Sequence, residues 1–360
     1  MKSRDFCKGC RRLSGRYAMI CCIMLFISLP IFPFVLVGHI VVAEWRVKNE
    51  PHVNKFAPVV LAEFTDQVFS ATRESDTRDT GNMSYLTVMF SGGLGNRMFQ
   101  YASLTCIAHH NKMQGHLPQG CILPEVFNIP NSELALSESI FSRPGINYPK
   151  FLEKSSYIWD KRTLRLNPKL NIELLGYFQS WKYFHSCKHK VRRQLSFKTD
   201  VVKAANMYLT QAANKAGEAR PTFVSIHVRR GDITQVPHIA ELGYTTATRQ
   251  YFLNSMEYFK SRHKNIVFVV CSNDIKWSRE NLSNNNNSIY FVDSGRDEVD
   301  LCILSRCNHS IISTGSYGWW GAWLASGEVT YYKHFPKPGS PLHKSFNPWD
   351  YFLPEWIGLD

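Results

Sequence analysis

The chain has 360 residues, enough for one large or two medium domains with a packed core. A hydrophobic share of 44% and an aromatic share of 13% exclude a mainly disordered chain. The formal net charge of +13 points to an anionic partner, but +5 of it falls in the first sixteen residues, so the +8 of the body needs its own explanation.

Those sixteen residues read as a basic tail. Residues 17–43 follow, a run of 27 without Asp, Glu, Lys or Arg. Spanning a bilayer takes about 20 apolar residues, and a signal-peptide core is only about 7–15 long, so the run reads as a transmembrane anchor. Positive charge before an anchor stays in the cytosol, which predicts type II topology with the remaining chain in a lumenal or extracellular space. A nucleic-acid partner is thereby excluded. Residues 44–84 contain ATRESDTRDTGN, a charged, small-residue run without sustained period, and read as a stem. Six cysteines lie beyond the anchor (Cys106, Cys121, Cys187, Cys271, Cys302, Cys307). An oxidising compartment permits disulfides among them, and sequence alone assigns none. Sequons occur at Asn82, Asn281, Asn286 and Asn308. Asn281 and Asn286 fall in NLSNNNNS, which reads as an exposed loop, whereas Asn308 abuts an apolar strand and reads as too buried to modify.

The body opens with YLTVMF (85–90), a strand, and a helix is predicted over 96–110, where Met98, Tyr101, Ala102 and Cys106 recur at helical spacing. Between them lies Ser91-Gly92-Gly93-Leu94-Gly95-Asn96, a loop whose glycines let backbone approach a ligand and whose helix start presents N–H groups to an anion. It lacks the dinucleotide spacing and the P-loop Lys, which disfavours a nicotinamide cofactor or an ATPase. A loop-rich middle follows. The second half then alternates short Val/Ile/Phe runs, at 222–228, 265–271, 288–292 and 309–313, with helix-like stretches such as QYFLNSMEYFKSRH and DEVDLCILSRC. Continuous apolar strands between helices indicate a parallel sheet covered on both faces. The predicted fold class is α/β, with two Rossmann-like layers facing a cleft, residues 85–220 forming the acceptor-side part and 221–360 the donor-binding part.

Two further constellations carry chemistry. His227-Val228-Arg229-Arg230-Gly231-Asp232 follows directly on a strand, at the sheet end where open α/β folds bind ligands. Paired guanidinium groups can fork onto phosphate oxygens, as a diphosphate requires, and one Arg is expected to pair with Asp232 while the other meets the ligand. Ser313-Thr314-Gly315-Ser316 leads into another helix, a second anion cradle, and Trp319, Trp320 and Trp323 read as core rather than as a sugar platform. No Asp-x-Asp, zinc-spaced cluster or Gly-x-Ser-x-Gly occurs, so no metal site is expected and Arg must neutralise a bound diphosphate.

The segments GGLGNRMFQYASL (92–104), HVRRGD (227–232) and DLCILSRCNHSIISTGSYGWWGAWL (300–324), in this order, resemble the signature segments of the α1,2-fucosyltransferases of glycosyltransferase family 11, over roughly residues 85–335. The resemblance implies a GT-B-like fold, residence in the Golgi membrane, and metal-independent, inverting transfer from GDP-β-L-fucose to a galactose-containing glycan acceptor, with no other cofactor. It also implies that Arg229 holds the donor diphosphate with His227 and Arg230 shaping that site, that Asp300 contacts guanine, that Thr314 and Ser316 contact phosphate, and that Gly93, Gly95 and Asn96 face the donor end. Arg97 departs from the Gln usual in bacterial relatives, as does Gly315-Ser316-Tyr317 from the usual small-residue segment. Asp232, His238 and Glu241 are candidates for the base that takes the acceptor hydroxyl's proton. Two alternatives stay open at this point: fucose transfer in another linkage or to another acceptor, and an inactive membrane-anchored glycan-binding protein.

Overall fold

The structure is a computed structural model that describes residues 84–118, 120–130, 148–283 and 287–360. The tail, the anchor, the stem up to residue 83 and the sequons at Asn82 and Asn286 lie outside the described residues. Among the described residues no helix is long and apolar enough to cross a membrane.

Strand β1 (Tyr85–Val88) runs through the glycine loop into α1 (Leu94–His110), followed by β2 (Gln114–Gly115), α2 (Leu123–Val126), β3 (Lys150–Leu152) and β4 (Ile172–Leu175). These four strands pair in parallel in the order β2-β1-β4-β3. Helices α3 (Lys188–Gln194) and α4 (Thr199–Ala216) lead to the second sheet. There β5 (Thr222–Val228), β6 (Ile266–Ser272), β7 (Ile289–Phe291), β8 (His309–Ile312), β9 (Val329–Tyr332) and β10 (Ile357–Leu359) pair in parallel in the order β10-β9-β8-β5-β6-β7. Between them come α5 (Gly231–Gln235), α6 (Pro237–Leu242), α7 (Arg249–Lys260), α8 (Ile275–Leu282), α9 (Asp297–Arg306), α10 (Ser316–Ala325), α11 (Pro341–Lys344) and α12 (Pro348–Tyr351). The α/β class with two parallel layers is therefore observed.

Why the second sheet is parallel and doubly covered is written in β6. Val267, Val269 and Cys271 pack with Val201, Ala205 and Leu209 of α4 and with Val299, Cys302 and Ile303 of α9. The intervening Phe268 and Val270 belong to the opposite core, with Phe252, Met256 and Phe259 of α7. Successive strand residues point to opposite faces, so a strand buried on both sides must be apolar throughout. Helix α4 lies in the middle that reads as loop-rich from sequence, although Val201, Ala205, Leu209 and Ala212, its buried stripe, recur at helical spacing.

An aromatic core joins the two layers. Phe99 of α1 lies 4.6 Å from Trp319 and 5.0 Å from Trp320 of α10, and Phe184 stacks on Trp320 at 5.4 Å. Trp319, Trp320 and Trp323 are all buried, so the reading of that stripe as core holds. Helices α1 and α10 come together because residue 95 is glycine: a Cβ there would lie 2.7 Å from the Ser316–Tyr317 backbone. A disulfide between Cys106 of α1 and Cys187, 81 residues apart, ties α1 to the turn before α3, while Cys121, Cys271, Cys302 and Cys307 are free thiols.

The described sequons differ from expectation. Asn281 sits in the last turn of α8, half-buried, its amide donating to the Trp277 carbonyl, because the helix runs on into the stretch that reads as loop. Asn308 is exposed rather than buried, since the chain turns outward between α9 and β8. Its Oδ1 accepts from the Phe223 N–H at 2.9 Å.

Candidate active site

Both sheets end at a cleft that opens to solvent. From the first layer come Gly93, Gly95 and Asn96 at the start of α1, Tyr157 after β3, and Tyr177 and Gln179 after β4. The second layer supplies His227, Arg229 and Asp232 after β5, Tyr244 after α6, Asp297 and Asp300 of α9, and Gly315, Ser316 and Tyr317 at the start of α10. Parallel strands bring these loops together because all of them follow the C-terminal ends of strands, where ligands bind in α/β sheets.

Helices α1 and α10 both start at the cleft on a glycine, Gly93 and Gly315, with no side-chain cap. Their first-turn N–H groups carry partial positive charge, a setting suited to an anion. Asn96 joins the two starts: its Oδ1 accepts from the Ser316 hydroxyl and, at 2.7 Å, from Gln179 Nε2. Arg97 braces the loop, its Nε donating to the Gly92 carbonyl at 3.0 Å.

Arg229 is the organising cation, its side chain 19% exposed. Its Nε donates to Asp232 Oδ2 at 3.1 Å and its Nη2 to the same oxygen at 2.6 Å. The guanidinium also lies over the Tyr244 ring, 5.1 Å from its centroid. Gly315, at φ +92°, is required here twice over: the conformation favours glycine, and a Cβ would come 2.4 Å from Arg229 Nη1. Arg229 is thus the arginine that pairs with Asp232, and it also lines the cleft. Arg230 is a correction, since it does not line the cleft. Past the end of β5 its N–H donates to Asn273 Oδ1 at 2.8 Å, and its guanidinium turns to Asp274 at 3.6 Å and over Trp277 at 4.7 Å.

The candidate bases do not fit that role. Burial works to raise the Asp232 pKa, but the Arg229 hydrogen bonds and charge outweigh it and hold the carboxylate below its ordinary value. Asn273 Nδ2 donates to its Oδ1 at 3.0 Å as well, so it is a weak base committed to Arg229. His238 and Glu241 are exposed on α6, paired with each other at 3.8 Å and outside the cleft wall. His227 lines the cleft as a neutral ring, because burial, with the Arg229 charge beside it, pushes its pKa down to about 3. Asp300 goes the other way: burial pushes it up to about 6 against the Ser294 hydroxyl that donates to it. Thr314 is a second correction. It is 3% exposed, outside the cleft wall, and its hydroxyl has no hydrogen-bond partner, so only Ser316 of that pair lines the cleft.

The sequence reading missed the aromatic and amide walls, Tyr157, Tyr177, Gln179 and Tyr244. They come from short connections without a local motif, and only the meeting of the two layers brings them together. A cluster of His263, His309 and Glu328 gathers where β8 and β9 begin, at the opposite end of the sheet. His309 Nδ1 accepts the Glu328 N–H at 3.1 Å and so has no second lone pair on that ring for a metal; the cluster is a hydrogen-bonded brace.

Two parallel α/β layers, helix starts converging on a cleft and an aligned arginine make a setting suited to an anion. The profile described as Glycosyl transferase family 11 matches residues 55–360, and the chain belongs to that family. It is 32% identical over 281 residues to galactoside alpha-(1,2)-fucosyltransferase 1 of Bos taurus, covering 76% of each chain. It is 29% identical over 346 residues to galactoside alpha-(1,2)-fucosyltransferase 2 of Pongo pygmaeus, covering 93% of this chain and 97% of the relative. Among solved structures, a mutant of Arabidopsis thaliana FUT1 in complex with GDP shares the fold, with a TM-score of 0.50 at 13% identity and 74% of each chain covered.

Proposed function

We propose that this protein transfers L-fucose from GDP-β-L-fucose to a galactose hydroxyl of a glycan acceptor, in α1,2 linkage, with inversion and without a metal ion. The observation that carries the reading is Arg229, a guanidinium aligned by Asp232, Tyr244 and Gly315 at a cleft where two helix N-termini meet. Family membership and the activity named for the relatives support the donor and the linkage.

The acceptor hydroxyl oxygen bonds to C1 of fucose while the bond from C1 to the β-phosphate oxygen breaks on the opposite face, and GDP departs with the electron pair. Charge grows on the β-phosphate as that bond lengthens. Arg229 and the first-turn N–H groups of α10 meet it in place of a cation, while the Ser316 hydroxyl, donating to Asn96, ties the two helix starts together. Because these donors are already aligned, little reorganisation opposes the step. Ionised Asp300 accepts from the guanine edge, and neutral His227 adds no competing charge beside Arg229. Asp232 holds Arg229 and stays ionised, so the hydroxyl proton passes to solvent.

In this reading the protein is a single-pass type II Golgi membrane protein, with residues 17–43 in the lipid bilayer, 44–84 as stem, 85–220 as acceptor-side part and 221–360 as donor-binding part. The uncharged run supports the anchor, and the Cys106–Cys187 disulfide suits an oxidising compartment. The test is to incubate the full-length protein in detergent with labelled GDP-fucose and a β-galactoside, with and without EDTA, and to determine the linkage of the product. Fucose on the galactose 2-hydroxyl, unaffected by EDTA, is expected. Absence of transfer, fucose on another hydroxyl, or loss of activity with EDTA overturns the reading.

A further inference from the structure

Ion pairing with Asp232 fixes one edge of the Arg229 guanidinium, the edge bearing Nε and Nη2. It does not fix the tilt of the plane about that edge. A fork that must meet two phosphate oxygens at once depends on that tilt as much as on position. The Tyr244 ring beneath the guanidinium, with Gly315 packed against Nη1, bears directly on that tilt. Tyr244 itself sits in a short connection after α6, half-buried, with the Phe335 ring 5.6 Å away on the same layer. Its other constraint comes from across the cleft: its hydroxyl lies 2.9 Å from that of Tyr157. Tyr157 is 7% exposed and clasped by the rings of Phe346 at 5.2 Å and Tyr351 at 5.3 Å, so its hydroxyl is a fixed point.

We infer that Tyr157 and Tyr244 form a tie across the cleft that sets the plane of the Arg229 guanidinium, and that both act as positioning residues for fucose transfer. The inference rests on Arg229 serving the donor diphosphate. The tie joins the wall that follows β3 to the wall that follows β5, so it couples the orientation of the donor-side arginine to the seating of the first layer. Neither tyrosine is a base in this role. Burial pushes the Tyr157 phenol far above its ordinary value, so Tyr157 keeps its proton.

A mis-tilted guanidinium keeps its charge, so ground-state attraction for GDP survives, whereas the fork onto the charge that grows in the transition state is lost. The expected signature is a fall in kcat without a matching change in affinity. The experiment measures kcat and KM for GDP-fucose, and the GDP dissociation constant by calorimetry, in Tyr157→Phe, Tyr244→Phe, the double variant and Tyr244→Leu, using the full-length protein. Each Phe variant lowers kcat about 5- to 10-fold, with KM and the GDP constant within about threefold of wild type. The double variant is no slower than the slower single one, because both changes sever the same hydrogen bond. Tyr244→Leu, which also removes the ring under Arg229, is slower still. An active wild type with Phe variants of unchanged kcat, losses that multiply in the double variant, or losses seen in the GDP constant alone would overturn the tie while leaving the donor reading intact. A wild type that neither binds GDP nor transfers fucose overturns both. Should Tyr157→Phe fail to fold, the ordering of Tyr244→Phe above Tyr244→Leu in kcat, at constant GDP affinity, decides the matter.

Discussion

The two walls of the cleft are made of different chemistry. All of its charged side chains, Arg229, Asp232, Asp297 and Asp300, come from the six-stranded layer, while the four-stranded layer contributes glycines, Leu94, Asn96, Gln179 and two tyrosines. Fixed charge that does not have to reorganise is what a departing diphosphate needs. A neutral wall of amides and rings is what distinguishes one sugar hydroxyl from another, by shape and by hydrogen bonds that only the correct partner completes. If, as proposed, the charged wall serves the donor and the neutral wall the acceptor, substitutions on each side should fail in different ways, Tyr157 excepted because it reaches Tyr244 across the cleft.

The largest loss is expected from Arg229→Lys, which keeps one positive charge but removes the fork. Turnover of GDP-fucose should fall about 10²- to 10³-fold, as when one preorganised donor is lost, with the protein still folded by circular dichroism. Arg230→Ala, which removes side-chain contacts to Asp274 and Trp277 outside the cleft wall, should stay within about tenfold of wild type in the same assay. Next comes Gly315→Ala, a change with no charge at all. Its methyl would enter the space of Arg229 Nη1 at a φ of +92° that alanine rarely adopts, so kcat should fall about 10- to 10²-fold. Wild-type turnover in Gly315→Ala would mean that the guanidinium need not lie where it does.

The guanine end should show itself as a pH effect. In the proposed reading Asp300 must be ionised to accept from guanine, and burial holds it up at about 6. Its anionic form, and with it GDP affinity, is present above that pH and is lost as the pH falls through it, by up to about tenfold per unit. Calorimetry between pH 5 and 8 should show that slope, and Asp300→Asn should bind more weakly and flatten it. The smallest effect is on the neutral wall. Tyr177→Ala should raise the acceptor KM several-fold, roughly 1 kcal/mol of lost contact, without moving the GDP constant. A change confined to GDP affinity would erase the distinction between the walls.

The same asymmetry governs what could be read from the sequence. Strand β5 spans 222–228 as expected, and β6, β8 and α9 fall within about a residue of their predicted bounds, because a doubly covered parallel sheet demands uninterrupted Val, Ile and Phe. The first layer has strands of only two to four residues, too short for any period to declare itself, and β2, β3 and β4 disappear into a middle that reads as loop. Among the residues singled out in the sequence, Arg229 and Ser316 line the cleft because each follows or opens a regular element, whereas Asp300 is pointed to by the family resemblance alone. Tyr157, Tyr177 and Gln179 were not visible, since their neighbours in space are distant in sequence. Arg230 and Thr314 stand beside Arg229 and Gly315 in their motifs but do not line the cleft, because adjacency in a motif says nothing about which of two neighbouring side chains meets the cleft once the strand has ended.

The central claim is that Arg229, held by its neighbours, takes the place of a metal ion beneath the donor's diphosphate. A crystal structure of the protein with GDP tests it most directly. The account predicts both phosphates against the Arg229 guanidinium and the start of α10, with guanine on Asp300 and no cation between them. A diphosphate bound beside Arg230 and Asp274, or one ligated by a metal, would contradict it.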